Sequence, residues 1–175
     1  MSPSNVLITN VAPALTVPDA WKCISRLTLS STSIKDCGIP IANICLLDSE
    51  SPTLLTPSDA KSFTHVLIGG ILGNTDEFDF DRTKVLREMG FSTRNLGSFQ
   101  MTSDTAVRVA HSILELGVPF EHLKFVDRPE IAASQHERLV LNFRFLVAPD
   151  GSPIVLDSVK RILLDSEDFD VDRLE

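Results

Sequence analysis

A chain of 175 residues has the length of one domain, and a domain of that size buries roughly 70% of the surface its unfolded form exposes, so its core needs no disulfide or metal staple. Apolar residues make up 43% and charged residues 23%, which excludes wholesale disorder, and the short, glycine-interrupted apolar runs exclude a helix spanning a bilayer. With 16 Lys and Arg against 24 Asp and Glu, the net charge is −8; strong nonspecific nucleic-acid binding is not expected of such a chain, and the charge reads as solubility for most of these residues or as a match for a basic partner.

From the N-terminus, Met1–Pro13 lacks a basic start and an unbroken apolar stretch, so no secretory leader is expected. Val6–Thr9 reads as a strand. Asp19–Leu27 reads as a helix with Trp21, Ile24 and Leu27 on one face, and Ser30–Ser33 as a loop. Ile44–Leu47 is a strand ended by Asp48. Thr56-Pro57 starts a helix, with Thr as cap and Pro in the first turn. The strand His65–Ile68 runs into Gly69-Gly70-Ile71-Leu72-Gly73. An acidic loop, Asn74–Asp81, leads to a helix over Arg82–Met89, capped by Asp81 and closed by a left-handed Gly90.

Phe91–Asn95 is the next strand, followed by Leu96-Gly97-Ser98-Phe99-Gln100-Met101. The clearest helix starts at Thr102 or Ser103 with Asp104 in its first turn. It carries Ala106, Val109, Ala110, Ile113 and Leu114 on its apolar face and ends at Gly117. Lys124–Val126 and Val140–Val147 are strands, Pro149-Asp150-Gly151 is a turn, and Val155–Leu164 is a last helix before an acidic tail, Asp165–Glu175. This alternation predicts one α/β domain over residues 1–164 with a mainly parallel sheet.

Ligands of open α/β sheets bind outside the carboxyl ends of strands. Three strand-exit loops carry unusual residues: Leu47-Asp48, Gly69–Gly73 and Leu96–Met101. Glycine lets the backbone approach a ligand, and Leu and Met can pack on an adenine ring. GGILG alone reads equally as a plain strand-exit turn, since it is neither GxGxxG nor a phosphate loop. No histidine–cysteine spacing suits zinc, no GxSxG elbow exists, and no EF-hand loop is present. Cys23, Cys37 and Cys45 form no CxxC pair and read as thiols of a reducing, cytoplasmic compartment. The residues by themselves lead to an α/β protein binding a nucleotide-like ligand.

Six segments in order go further: ICLLD (Ile44–Asp48), GGILG (Gly69–Gly73), DRT (Asp81–Thr83), RNLGSFQMTSDTAVRVA (Arg94–Ala110), KFVDRPEI (Lys124–Ile131) and LNFRFLVAPDGSPIV (Leu141–Val155). Together they resemble the SPOUT-fold methyltransferases of the fungal ribosomal-protein arginine methyltransferase type, which have archaeal relatives described as RNA methyltransferases. The resemblance runs from Ile44 to Val155 and more faintly back to Val6.

It implies a mainly parallel sheet flanked by helices, with a C-terminal trefoil knot whose loops hold S-adenosyl-L-methionine. Carried over by motif, Gly69, Gly70, Leu72 and Gly73 form one wall of that site. Leu96, Gly97, Gln100, Met101, Thr102 and Thr105 form another, with Ala106 at the helix start, and Leu47 and Asp48 flank the third loop.

The implied acceptor is an arginine of a small-subunit ribosomal protein. A guanidinium nucleophile needs a carboxylate to orient it and draw off charge as its proton leaves. Asp81 and Asp104 are the first candidates, ahead of Asp127 and Glu130, with Arg82 positioning substrate or loop. Asp104 also reads simply as a helix N-terminal acid. Arg144 reads as a strand-surface charge, although FRF matches the family's Phe-Arg-aromatic motif.

The sequence departs from the family pattern in three places: Asn74 follows Gly73 without the usual prolines, Asn142 stands where a proline is usual, and an initial strand-helix unit is expected to be missing. An RNA methyltransferase of the same fold, and a shortened cofactor-binding protein with little activity, are the alternatives.

Overall fold

The structure is a computed structural model that describes residues 5–69, 82–132 and 138–165, with the main chain alone at Arg82 and 162–165. At its centre lies a parallel three-stranded sheet in the order β4-β3-β5, formed by β3 (Ile44–Leu47), β4 (His65–Leu67) and β5 (Ser92–Arg94). Cys45 stands opposite both Val66 and Ser92. The unbroken apolar run of β3 is what a parallel strand covered on both faces requires, and Ile44, Cys45 and Leu46 are 0% exposed.

Side chains alternate across the sheet. Ile44 and Leu46 pack with Phe91 against Leu86 and Met89, on the side of helix α2 (Arg82–Glu88). Cys45 packs with Val109 and Ile113 of helix α3 (Ser103–Leu114) on the other side. Gly90 and Gly117, at φ +85° and +69°, close the turns that follow α2 and α3.

The helix expected at Thr56-Pro57 is a single 3-10 turn, Pro57–Lys61. Thr56 N–H donates to Asp59 Oδ2 at 2.8 Å, completing a capping box.

Beyond α3 the paired strands are antiparallel, whereas the N-terminal pair and the central sheet have the expected parallel pairing. Strand β6 (Phe125–Asp127) pairs with β9 (Arg144–Leu146), and β7 (Glu130–Ala132) with β8 (Arg138–Val140). Phe125 faces Leu146, whereas Glu130 faces Val140. Between the two ladders, Arg128 and Pro129 stand against Leu141, Asn142 and Phe143, so the register slips by one residue. Arg128 N–H donates to Phe143 C=O and Leu141 N–H to Pro129 C=O, which keeps the hairpin closed across this bulge. Pro129, without an N–H, is suited to that position, and Arg128 takes φ +49°. The single strand expected over Val140–Val147 is therefore two, and β7 has no counterpart among the predicted elements.

At the N-terminal end, β1 (Val6–Ile8) pairs in parallel with β2 (Leu27–Leu29). The helix expected over Asp19–Leu27 is shorter: α1 spans Asp19–Lys22, and Leu27 belongs to β2. Trp21 and Ile24 are exposed, so this stretch buries no apolar stripe that could prolong the helix. The last helix, α4 (Asp157–Asp165), starts two residues later than predicted, leaving Val155 in a small core with Leu141 and Phe145.

Candidate functional site

Because β3, β4 and β5 are parallel and in register, their carboxyl ends fall on one edge of the sheet. That edge gathers Leu47-Asp48, Ile68-Gly69 and Asn95-Leu96. Of the residues predicted to line the site, Leu47, Gly69, Leu96, Gly97, Gln100, Met101, Thr102 and Thr105 are described. Gly70, Leu72, Gly73 and Asp81 lie outside the described residues, as do the acidic loop and residues 166–175 of the tail.

The Leu96–Met101 loop is tied at both ends. At its root, Gly97 N–H donates to Asn95 Oδ1 at 2.9 Å, and Asn95 Nδ2 donates to Ser51 C=O at 2.8 Å. At its far end, Arg144 N–H donates to Gln100 C=O at 2.9 Å, and Met101 bridges Arg144 in parallel. Thr102 then caps α3: Thr105 N–H reaches Thr102 Oγ1 at 3.4 Å, and Thr102 Oγ1 donates to Thr105 Oγ1 at 2.8 Å. Thr105 is fully buried. Of the two caps considered, Thr102 takes the role, and Asp104 sits in the first turn.

The glycines have internal work. Gly97 holds φ +88°, and a Cβ there would stand 2.8 Å from Phe120 Cζ; a Cβ on Gly69 would stand 2.5 Å from Leu86 Cδ1. Both therefore admit neighbouring side chains of the chain itself, so their presence is explained without a ligand.

Three arginine–carboxylate pairs frame the loops. Arg87 grips Asp48 at the end of β3, Nε to Oδ2 at 2.6 Å and Nη2 to Oδ1 at 3.1 Å. Burial alone would raise the Asp48 carboxyl, but hydrogen bonds from Arg87 and from Glu50 N–H outweigh it and hold it below the ordinary value. Arg94 holds Asp59 Oδ1 through Nη2 at 2.8 Å and Nε at 3.1 Å, and lies over the Phe63 ring. Asp59 is likewise depressed, with burial opposed by Arg94 and Thr56.

Arg144 takes Asp127 in a fork, Nε to Oδ1 at 2.6 Å and Nη2 to Oδ2 at 2.8 Å, between the rings of Phe99 and Phe125. The hydrogen bonds within this pair lower Asp127 and raise Arg144. Glu130 Oε2 lies 3.5 Å from Arg138 Nη1 in an exposed ion pair. Asp127 and Glu130 are thus engaged by arginines of the chain itself, whereas Asp104 forms no ion pair among the described residues.

Cys45, buried in β3, is raised to about 11 by desolvation, against an opposing pull from Arg94. It stays a protonated core thiol, as its place in an apolar strand suggests.

Sequence reasoning missed these pairs because their partners stand far apart along the chain and carry no local signal; only FRF hinted at Arg144. Among the described residues, no cluster of three or more His, Cys, Asp or Glu could hold a metal, and no helix is long and apolar enough to cross a membrane. A shallow groove of about 380 Å³, lined by Val107, Arg108, His111, Ser112, Leu146 and Ile154, shares no residue with the strand-end loops.

The arrangement is that of an open α/β sheet, a class of protein whose ligands bind outside the carboxyl ends of the strands. Residues 1–168 match the SFM1-like family, described as protein arginine N-methyltransferase SFM1-like, and the chain belongs to that family. It is 38% identical over 125 residues to the protein arginine N-methyltransferase SFM1 of Saccharomyces cerevisiae, a match covering 67% of this chain and 58% of the yeast protein. The crystal structure of yeast SFM1 complexed with SAM superposes with a TM-score of 0.80 at 27% identity, covering 90% of this chain and 75% of that one. A structure described as a novel protein arginine methyltransferase gives a TM-score of 0.79 at 28% identity, covering 91% and 84%.

Proposed function

We propose that the chain is a protein arginine N-methyltransferase that uses S-adenosylmethionine to methylate an arginine of a basic protein of the small ribosomal subunit, in the cytoplasm. The observation that carries this reading is the meeting of Leu47, Gly69 and Leu96–Thr102 at one sheet edge in a chain of the SFM1-like family. The residues fit the cofactor's chemistry. Leu96 and Met101 offer apolar contact for an adenine ring. The nearby polar side chains of Asn95, Thr102 and Thr105 already serve internal hydrogen bonds, which leaves recognition to the backbone and to Gln100. The SPOUT classification and the trefoil knot belong to the same proposal. The passage of the segment around Arg144 beside Gln100 and Met101 supports a C-terminal strand threaded close to the cofactor loop.

When bound, S-adenosylmethionine supplies an already activated methyl group. What remains for the protein is alignment of the acceptor nitrogen. A guanidinium titrates above about 12, so its attack needs a carboxylate that orients it and accepts charge. Asp127 is forked to Arg144, whereas Asp104 forms no ion pair among the described residues, which supports assigning that role to Asp104, together with Asp81. Arg82 positions substrate or loop at the start of α2. The net charge of −8 suits a cationic protein better than RNA.

The test is to incubate the purified chain with methyl-labelled S-adenosylmethionine and small ribosomal subunits from cells lacking the enzyme. Label in one protein band is expected. Asp104→Asn should lower transfer by about 10²-fold while leaving S-adenosylhomocysteine binding intact. Label confined to RNA, or cofactor binding without transfer, would overturn the reading.

A further inference from the structure

We infer that Arg144 is a positioning residue that holds the Leu96–Met101 loop in its ligand-ready shape, with Phe99 as the handle it grips; the inference rests on the methyl-donor reading of that loop. Arg144 meets the loop twice. Its backbone N–H ties Gln100 C=O, and its guanidinium lies 4.1 Å from the centroid of the Phe99 ring. The guanidinium is itself locked by the fork to Asp127 and by Phe125 at 5.0 Å on β6. Its side chain is only 15% exposed, whereas Phe99 is 54% exposed.

So large an apolar residue in so open a place is not explained by burial. It is explained by stacking on a cation that two carboxylate oxygens have fixed in plane. The loop between its tied ends contains Gly97 at φ +88° and Ser98, and a segment of that composition has many conformations to lose on binding. Stacking Phe99 on Arg144 removes them beforehand, which is preorganisation. The depressed Asp127 and raised Arg144 agree with a tight pair.

A lysine at 144 would keep the charge but neither the planar fork nor the stacked face. Arg144→Lys therefore separates positioning from charge, and Phe99→Leu against Phe99→Trp separates the stacked ring from mere apolar volume. On the full chain, S-adenosylhomocysteine affinity is measured by calorimetry, donor KM and kcat by methyl transfer, and amide exchange of the 96–101 and 44–47 peptides without ligand.

Arg144→Lys and Phe99→Leu should each weaken S-adenosylhomocysteine about tenfold and raise donor KM in step, with kcat within about threefold, as loss of ground-state positioning requires. Exchange should quicken in 96–101 and stay unchanged in 44–47, and Phe99→Trp should match the wild type. Unchanged affinity in both variants beside a wild type that binds, or equal quickening of 44–47, would overturn the inference. A wild type that binds no S-adenosylhomocysteine would overturn the methyl-donor reading instead. Exchange alone would then decide: unchanged exchange of 96–101 in Arg144→Lys refutes a holding role.

Discussion

The parallel core and the antiparallel hairpin of this chain hold together by different means. In the core, Ile44, Cys45 and Leu46 are sealed between α2 and α3, and the sheet rests on apolar burial from both sides. In the hairpin, Val140 is 49% exposed, β7 and β8 show mostly exposed side chains, and the strands change register at a bulge. Leu141 and Phe145 close a small apolar core with Val155, but the point of contact with the Leu96–Met101 loop is polar: Arg144, forked to Asp127 with its guanidinium beside the Phe99 and Phe125 rings. The scaffold is therefore fixed by packing, while the part that touches the candidate cofactor loop is fixed by direction-dependent contacts. Small changes in directional contacts shift a loop without unfolding the domain.

Substitutions that separate the two halves should differ most in stability. Ile113→Ala, at a position with no exposure in the core, should cost about 3 kcal/mol by loss of buried methyl groups and the cavity left behind. Val140→Ala in the hairpin should stay within about 0.5 kcal/mol. Denaturant midpoints of the two variants give the comparison directly.

Next comes Arg87→Met. It leaves Asp48 nearly fully buried without its partner and should cost about 3 kcal/mol near neutral pH. The sign with pH follows from the depressed Asp48. The pair's stabilisation is complete above the ordinary carboxylate value of about 3.9 and fades as pH falls below it through the folded-state value. The gap between wild type and variant should therefore be widest above about pH 5 and narrow below about pH 4, read from urea unfolding across that range.

Gly97→Ala sharpens the comparison at the junction. It forces a Cβ against Phe120 at φ +88°, so it should cost about 2 kcal/mol and weaken S-adenosylhomocysteine along with stability. The smallest effect is at the cap: Thr102→Ala should cost about 1 kcal/mol, seen as a shift of the melting midpoint.

The same contrast governs what could be read from the residues. ICLL announces a strand buried on both faces, and the Thr102–Leu114 pattern announces α3, because burial imprints periodicity on local sequence. The alternation of strands and crossovers announces that the strands are parallel, whereas their order β4-β3-β5 is read only from the fold. The hairpin left a partial imprint: β6 and β9 fall on the expected strands Lys124–Val126 and Val140–Val147, but Glu130-Ile131-Ala132 is too short and polar to signal a strand, and the bulge at Leu141–Phe143 is a matter of pairing across the ladder. Leu27 shares a helical spacing with Trp21 and Ile24 and so reads as helix, whereas the partner that makes it a strand residue, Val6, lies in another part of the chain. At the site, the loop residues were legible as glycine-bearing strand exits. That Asp127 is already forked to Arg144 required the fold.

The central claim is that a methyl donor sits against the strand-end edge. Hydrogen exchange of the full chain with and without S-adenosylhomocysteine tests it most directly. The account predicts protection concentrated in peptides covering Leu96–Met101 and the end of β4 at Ile68-Gly69. Protection confined to the groove around Val107 and His111, or none anywhere, would contradict it.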